Sequence, residues 1–301
     1  MPEMDPNAWV GNNGMGDESI RQFKEDVDGV AAVIGTILAL MVFLALMSMI
    51  VLYWVPVAME GNEKSHMNKV IQEFSDLKNG IDAVITSDIR NDTRGVTIDL
   101  GADGYPMFER ETPGQLSLKP SDEHFNLSFA DSGENVYENS SGSIDFTAYN
   151  RFYVRQTLIY ENGAVILHQS KGDVLRSEPN LAVEMEGGNV ILGVTLISLH
   201  HDTSDSIAGT SSEDVRYTLW YTDRWTYTNI TSNYVTISIV SEYADAWESF
   251  YNKSFTNEGL VEGTDFHITA TSNGIIINID NVARLSVTHA YMETFIGRGV
   301  S

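Results

Sequence analysis

The sequence of 301 residues carries a formal net charge of −24 and contains no cysteine. The absence of cysteine excludes disulfides, thiol nucleophiles and cysteine-based metal sites, and the acidic charge argues against nucleic acid as a partner because it repels phosphates. A hydrophobic content of 43% is enough to build a sizeable core without disulfides.

A polar N-terminal segment is followed by a long uncharged one. Residues 1–29 are rich in Gly, Asn and acidic side chains, and we interpret them as a disordered leader. Residues 30–57 contain no charge and would extend roughly 42 Å as a helix, which exceeds the hydrocarbon thickness of about 30 Å. This run therefore predicts a transmembrane helix with membrane lipid as its partner, and Tyr53 and Trp54 fit an interfacial pair.

Two other interpretations of this apolar run are weaker. A buried core helix rarely has so long an uncharged stretch. A cleaved signal would have a shorter apolar region, of about 7–15 residues, followed by a cleavage site between small residues. We therefore expect the segment to stay in the mature protein.

The flanking charges do not decide the orientation of this helix. Arg21 and Lys24 precede it, and Lys64 and Lys69 follow it, so the positive-inside rule is neutral. An extracellular C-terminal domain is instead favoured by the small size of the leader and by the family resemblance described below.

Residues 58–90 show a helical period with one apolar stripe. The stripe consists of Met67, Val70, Ile71, Phe74, Leu77, Ile81, Val84 and Ile85. We predict an amphipathic helix that lays this stripe on the following sheet. An independent coiled-coil dimerisation helix is the alternative, but the stripe lasts less than about three heptads, which is short for a coiled coil.

From Gly95 to the end, short β-rich runs alternate with turn residues. Asn162-Gly163 and Asn273-Gly274 predict two hairpins, and residues 243–255 predict one helix. The fold class expected is therefore mainly β: a long N-terminal helix, transmembrane and then amphipathic, followed by an antiparallel β-sandwich at residues 95–301.

His200-His201-Asp202 contains residue types that bind metals. Neighbouring residues on a strand point to opposite faces, so they cannot all reach one ion unless they lie in a loop. No further ligands follow at suitable spacing, and a polar loop after a strand ending at Leu199 is the favoured interpretation. We predict no metal site.

An aromatic run, Trp220, Tyr221, Trp225 and Tyr227, could stack on sugar rings. Strand alternation would place Trp220 and the adjacent Tyr221 on opposite faces, so at least part of the run is expected in the core. Glycan binding is the less favoured alternative, because aromatic strands are ordinary sandwich material.

No catalytic motif occurs in the sequence. There is no Gly-x-Ser-x-Gly elbow, phosphate-binding loop or dinucleotide fingerprint. We therefore predict no catalytic residue, no enzymatic activity and no cofactor.

The chain has candidate N-glycosylation sites, where Asn heads an Asn-x-Ser/Thr sequon. These are Asn91, Asn126, Asn139, Asn229 and Asn252. Composition alone would produce roughly three or four sequons by chance, and the chain has only slightly more, so the sequons support an exported domain weakly.

The start of the apolar run has a recognisable sequence, Asp28-Gly29-Val30-Ala31-Ala32-Val33-Ile34-Gly35-Thr36. It resembles the N-terminal segment of archaeal type IV pilin-like proteins. The resemblance implies cleavage by a prepilin-type peptidase after Gly29, with Val30 as the new N-terminus. Residues 65–82 and the later GVTIDLGADGYP also resemble uncharacterised archaeal surface proteins in which such a helix precedes a β-rich ectodomain.

The resemblance implies a pilin-like cell-surface structural or interaction protein with an extracellular C-terminal domain. In a filament, its partners would be copies of itself or other envelope proteins. The alternative is a monomeric anchored binding module for a glycan, the surface layer or another protein.

Overall fold

A computed structural model describes the backbone of residues 14–232 and 234–297, and the side chains from Val30 onward within those ranges, except for Glu123. The chain divides into two compact units, Met1–Pro56 and Val57–Ser301.

The first unit is helical in its described part. Helix α1 spans Gly14–Met49, and a π-helical segment spans Ile50–Trp54. Residues 14–29, which we expected to belong to a disordered leader, are helical here, and residues 1–13 lie outside the described part of the chain. All side chains from Val30 to Trp54 except Met47 are exposed, so these residues do not form a buried core helix.

Helix α2 spans Val55–Ser87, and the second unit begins within its first turn. Its predicted apolar stripe is buried, with Phe74, Leu77 and Ile81 each 0% exposed. The helix comes so close to the sheet that a Cβ at Gly80 would overlap the Tyr217 hydroxyl. The prediction that this helix packs on the β-rich domain is confirmed, and the helix ends three residues earlier than expected.

The remainder of the second unit forms two sheets and one helix. The strands are β1 Thr93–Asp99, β2 Gly114–Asp131, β3 Glu134–Ala148, β4 Gln156–Glu161, β5 Ala164–Gln169, β6 Gly172–Ser177, β7 Leu181–Glu186, β8 Asn189–His200, β9 Asp205–Gly209, β10 Ser212–Tyr227, β11 Tyr234–Val240, β12 Phe266–Thr271, β13 Gly274–Asp280 and β14 Val282–Ile296. The first sheet has the order β1-β10-β14-β8-β7. The second has the order β12-β13-β11-β2-β3-β4-β5-β6, with β9 paired to β2.

The fold class is confirmed as a mainly β domain after a long apolar helix. Most strand pairs are antiparallel, but β8 and β14 are parallel. Helix α3 spans Ala244–Asn257 and buries Trp247, Phe250 and Tyr251, as the sequence predicted.

Two apolar cores fill the second unit. One joins the stripe of α2 to side chains from both sheets. The other lies between the two sheets and α3, and contains Phe125, Trp247 and Leu285 among its buried members. The sheets therefore pack on each other through one core and on α2 through the other.

The first predicted hairpin is confirmed. Glu161 pairs with Ala164, which leaves Asn162 and Gly163 as the turn. Both have positive φ, 42° and 81°, which is the backbone conformation that favours Asn-Gly in a two-residue turn.

The second hairpin is displaced by one residue from its prediction. Thr271 pairs with Gly274, so the turn residues are Ser272 and Asn273. Gly274 instead lies in β13, where a Cβ would overlap the carbonyl of Ile239. Glycine serves both turns and close backbone approaches, which is why the sequence pattern misplaced this turn.

Candidate functional site

A cluster of aromatic and titratable side chains lies on the first sheet, where the core between the sheets reaches the surface. We call it the aromatic–histidine cluster, and it consists of Ser198, His200, Trp220, Tyr221, His289 and Tyr291, with Glu138 from β3. Tyr291 pairs with Tyr221 on one side and with Ser198 on the other. Val287, on the same face of β14 as His289, belongs to the core, so the cluster extends that core outward.

A bulge in β10 brings two of the rings to the surface together. Leu219 pairs with Met292 and Tyr221 with Tyr291, so Trp220 is the extra residue. Trp220 and Tyr221 are each 40% exposed. The expectation that they occupy opposite faces is wrong, because one additional residue shifts the alternation of side chains.

The other aromatic residues of the run behave as core. Trp225 and Tyr227 are partly buried against the core between the sheets, and the Tyr227 ring meets Phe129 edge to face at 4.7 Å between centroids. The expectation that part of the run lies in the core is confirmed for these two residues.

The rings of the cluster are stacked. The centroid separations are 5.4 Å for Trp220–His200, 5.9 Å for His200–Tyr291, 4.3 Å for Tyr221–Tyr291 and 4.0 Å for His289–Tyr291, with ring planes 12° to 27° apart. Rings inside such a stack cover each other's faces. A flat ligand can therefore stack only on an end ring such as Trp220, while the ring edges and polar atoms remain for hydrogen bonding.

His289 is a buried polar side chain of the cluster, and its ring nitrogens contact three other members. Its Nε2 lies 2.9 Å from Ser198 Oγ, and its Nδ1 lies 2.9 Å from the Tyr291 hydroxyl and 3.4 Å from Glu138 Oε2. His289 is 2% exposed and Ser198 is 5% exposed. Both ring nitrogens therefore have partners, which satisfies an imidazole that water does not reach.

Burial shifts the pKa values of several side chains in the cluster. It lowers the pKa of His289 to about 4 and raises the pKa of Tyr291 to about 12. Burial also raises the pKa of Glu138 and lowers the pKa of His200. His289 is consequently neutral near pH 7, and desolvation rather than a paired charge is the main cause.

The contacts of Ser198, His289 and Glu138 follow the order of a hydrolytic triad, a serine next to a histidine that approaches a carboxylate. Whether Ser198 is activated depends on which ring nitrogen of His289 carries the proton. If Nδ1 carries the proton, it donates toward Glu138 and Nε2 accepts from Ser198, as in a triad. If the Tyr291 hydroxyl donates to Nδ1, then Nε2 donates to Ser198 and the serine is not activated. The Tyr291 contact fits both tautomers, because the hydroxyl can donate to Nδ1 or accept from it. Burial argues against a hydrolytic role instead, since Ser198 is nearly inaccessible to a substrate.

The two adjacent histidines that could have bound a metal make separate contacts. No group of three or more potential His, Asp or Glu ligands occurs in the part of the chain that the structure describes. His200 ends β8 and stacks with its neighbours, whereas His201 meets Phe295 edge to face at 5.0 Å.

Comparison with family models found a match. A model described as a family of unknown function, DUF7289, matches residues 29–294. The chain belongs to DUF7289. Searches of curated proteins and of solved structures found no match.

Four of the sequons in this DUF7289 chain place their asparagines at exposed positions. Asn91, Asn126, Asn139 and Asn229 are exposed, and Asn126 pairs directly with Asn139 across β2 and β3. Asn252 differs, because it is half-buried on α3 and its amide donates to Glu262 at 3.1 Å.

The two residues at the expected cleavage position lie within α1. Val30 is 59% exposed, and the side-chain environment of residue 29 lies outside the described part of the structure. Cleavage there stays a prediction for this DUF7289 chain.

Sequence reasoning found the aromatic run on β10 but missed its partners. Glu138, Ser198, His289 and Tyr291 come from three other strands that the topology brings together. The only local signal is that His289 and Tyr291 alternate on one strand, which many ordinary strands also show.

Proposed function

We propose that this chain is a membrane-anchored cell-surface protein whose β-rich unit lies outside the cell and acts by binding rather than by catalysis. The observation that carries the proposal is the helix before Val55. From Val30 to Trp54 it carries no charge, all of its side chains except Met47 are exposed, and it is long enough to cross a membrane. Exposing so much apolar surface to water is unfavourable, so lipid or copies of the same helix must cover it.

The first form of the proposal is a pilin-like structural subunit. It is supported by the sequence resemblance at residues 28–36 and by the apolar helix, which could pack on identical helices around its whole circumference. Filaments containing the chain in sheared surface fractions would support this form. A native protein that begins at Met1 would contradict the processing step that the resemblance implies.

The second form is a monomeric anchored binding module, and the aromatic–histidine cluster favours it. Trp220 and Tyr221 are large aromatic side chains at the surface, a residue type enriched at binding hot spots. In this form, the chain is found only as detergent-soluble monomers, and its partner is a glycan, the surface layer or another protein.

Binding through the cluster has a direct test. Nanodiscs carrying the full chain should bind isolated cell envelopes, and Trp220→Ala should weaken binding about tenfold, as removal of a hot-spot residue does. The control is Tyr137→Ala, which removes a side chain that is 74% exposed outside the cluster. Equal binding by the two variants would show that the cluster is not the binding surface.

The orientation has its own test. A protease added to intact cells should digest the β-rich unit while cytosolic proteins survive, because exposed loops are accessible to cleavage. Protection in intact cells, lost when the membrane is opened, would place the unit on the cytosolic side.

The absence of catalysis is tested at Ser198. A serine-directed fluorophosphonate should not label the chain, because the hydroxyl is almost fully buried. Labelling that disappears in Ser198→Ala but persists in Ser211→Ala, a change at an exposed serine, would establish an activated nucleophile instead.

A further inference from the structure

The loop between β1 and β2 exposes a short apolar tip. The tip is Tyr105-Pro106-Met107-Phe108. Met107 is 100% exposed and Phe108 is 36% exposed. A single exposed apolar side chain is ordinary, but consecutive ones at the tip of a loop indicate a contact with another molecule or a membrane.

Hydrogen bonds hold this tip in one conformation. Ala102 and Thr112 exchange two backbone hydrogen bonds of 2.9 Å at the base of the loop. Nearer the tip, the Tyr105 and Glu109 backbones also exchange two, at 3.0 and 2.9 Å. A Cβ at Gly104 would collide with the backbone of Arg110. The tip is therefore presented by the fold rather than left as a loose segment.

The loop is attached to the first turns of α2. The Asn62 side-chain amide donates to the Asp103 carbonyl at 3.0 Å, and buried Glu63 accepts from the Thr112 hydroxyl at 2.8 Å. Beside the loop, an open cleft of about 890 Å³ is lined in part by Ala58 and Asn62.

Chain connectivity places these attachment points near the membrane. The aromatic pair expected at the interface, Tyr53 and Trp54, precedes Asn62 by eight residues counted from Trp54, which is about 12 Å along a helix. The headgroup layer on each side of the hydrocarbon is about 5–8 Å thick. Asn62 therefore lies just outside that layer, and the four residues from Asp103 to Met107 can span at most about 13 Å toward it.

We propose that the loop tip, residues 105–108, inserts shallowly into the interfacial layer of the membrane that holds the apolar helix. This inference rests on the proposed membrane anchoring. The occupant of the exposed tip is lipid, because tyrosine, proline, methionine and phenylalanine suit the boundary between headgroups and acyl chains. The residues beside the tip carry a net negative charge, since Asp103, Glu109 and Glu111 outnumber Arg110. An anionic membrane surface would repel them, so we expect a zwitterionic surface.

The chain has no cysteine, so a single engineered cysteine gives one labelled position. We suggest attaching an environment-sensitive fluorophore in Met107→Cys and reconstituting the full chain in phosphatidylcholine nanodiscs. The label should emit at a shorter wavelength than the same fluorophore emits when it is free in water. Nitroxide lipids labelled near the headgroup should quench it more strongly than nitroxide lipids labelled near the chain end.

Two further labels make the outcome decisive. Val261→Cys is the matched control, because Val261 is 58% exposed and lies outside the loop; its label should show water-like emission and little quenching. Leu44→Cys reports on anchoring and should be quenched most strongly by nitroxides near the chain end. If the label at residue 44 is quenched and the one at residue 107 behaves like that at residue 261, the loop contact is wrong. If the label at residue 44 is also unquenched, the membrane anchoring itself is wrong.

A second variant tests whether the loop, rather than the attached fluorophore, causes the membrane contact. Phe108→Asn removes an apolar ring from the tip, and in the Met107→Cys background it should shift the emission toward that of the control label. No shift would mean that the fluorophore, rather than the loop, seeks the membrane, and would overturn the proposal.

Discussion

The helix before Val55 and helix α2 are both long and both rich in apolar residues, yet they bury their side chains differently. Between Val30 and Trp54, all described side chains except Met47 are exposed. In α2, by contrast, Met67, Phe74 and Leu77 are at most 1% exposed. The difference follows from the arrangement of apolar residues: an apolar surface on all sides requires a surrounding apolar medium, whereas one stripe requires only one packing partner.

The largest effect is expected from a charge on the buried stripe of α2. Phe74→Asp should destabilise the second unit by about 3–5 kcal/mol or more, since it removes a packed ring and buries a carboxylate. Urea unfolding of the full chain in detergent, followed by tryptophan fluorescence, to which fully buried Trp247 contributes, measures this. Asn79→Asp is the control, because it adds the same charge at an exposed position of the same helix. An unchanged midpoint for Phe74→Asp would mean that α2 is a free stalk.

A charge in the apolar run should impair membrane insertion rather than the stability of the second unit. Leu44→Lys should cost about 2.5–3.5 kcal/mol on insertion and reduce membrane retention. The unfolding midpoint of the second unit should not change, because Leu44 contributes nothing to its core. Membrane fractionation measures the first effect, with Leu44→Ile as the control. A shifted midpoint would contradict the separation between the two helices.

Acid should affect the second unit but not the apolar run at residues 30–57, which has no side chain that titrates between pH 4 and 7. The pKa of His289 is about 4 in the folded state and 6.5 ordinarily, so the unfolded state binds more protons between these values. Its contribution to stability is therefore present above about pH 6.5 and is lost toward pH 4, by up to about 3 kcal/mol. The raised pKa of Glu138 acts in the opposite direction.

The measurement is the free energy of unfolding against pH for the native chain and for His289→Asn. The variant should lose less stability than the native chain between pH 6.5 and 4. His267→Asn, at an exposed histidine, should retain the native slope. Parallel curves for all three chains would show that His289 is not buried in neutral form.

A smaller effect is expected at a polar contact of α2. Glu63 is fully buried and its carboxylate accepts hydrogen bonds from the backbone amides of Arg151, Phe152 and Tyr153 at 2.9, 2.9 and 2.6 Å. Glu63→Gln should cost about 1.5–3 kcal/mol, because one acceptor becomes a donor facing other donors. Exposed Glu60→Gln is the control. A midpoint equal to that of the control would show that this contact does not fix α2 to the domain.

The sequence by itself determined the features that depend on local pattern. The uncharged run at residues 30–57, the stripe of α2 and the Asn162-Gly163 hairpin were predicted correctly, because each depends on residues close together in the chain. The overall β class followed from the same short-range signals.

Only the tertiary structure decided the remaining features. The bulge at Trp220 reversed the expected direction of a side chain, and the close approach at Gly274 moved a turn by one residue. The contacts of His289 with Ser198 and Glu138 join strands separated by 91 and 151 residues in the chain. Such contacts arise from strand order and register, which depend on how whole sheets pack and which no local pattern specifies.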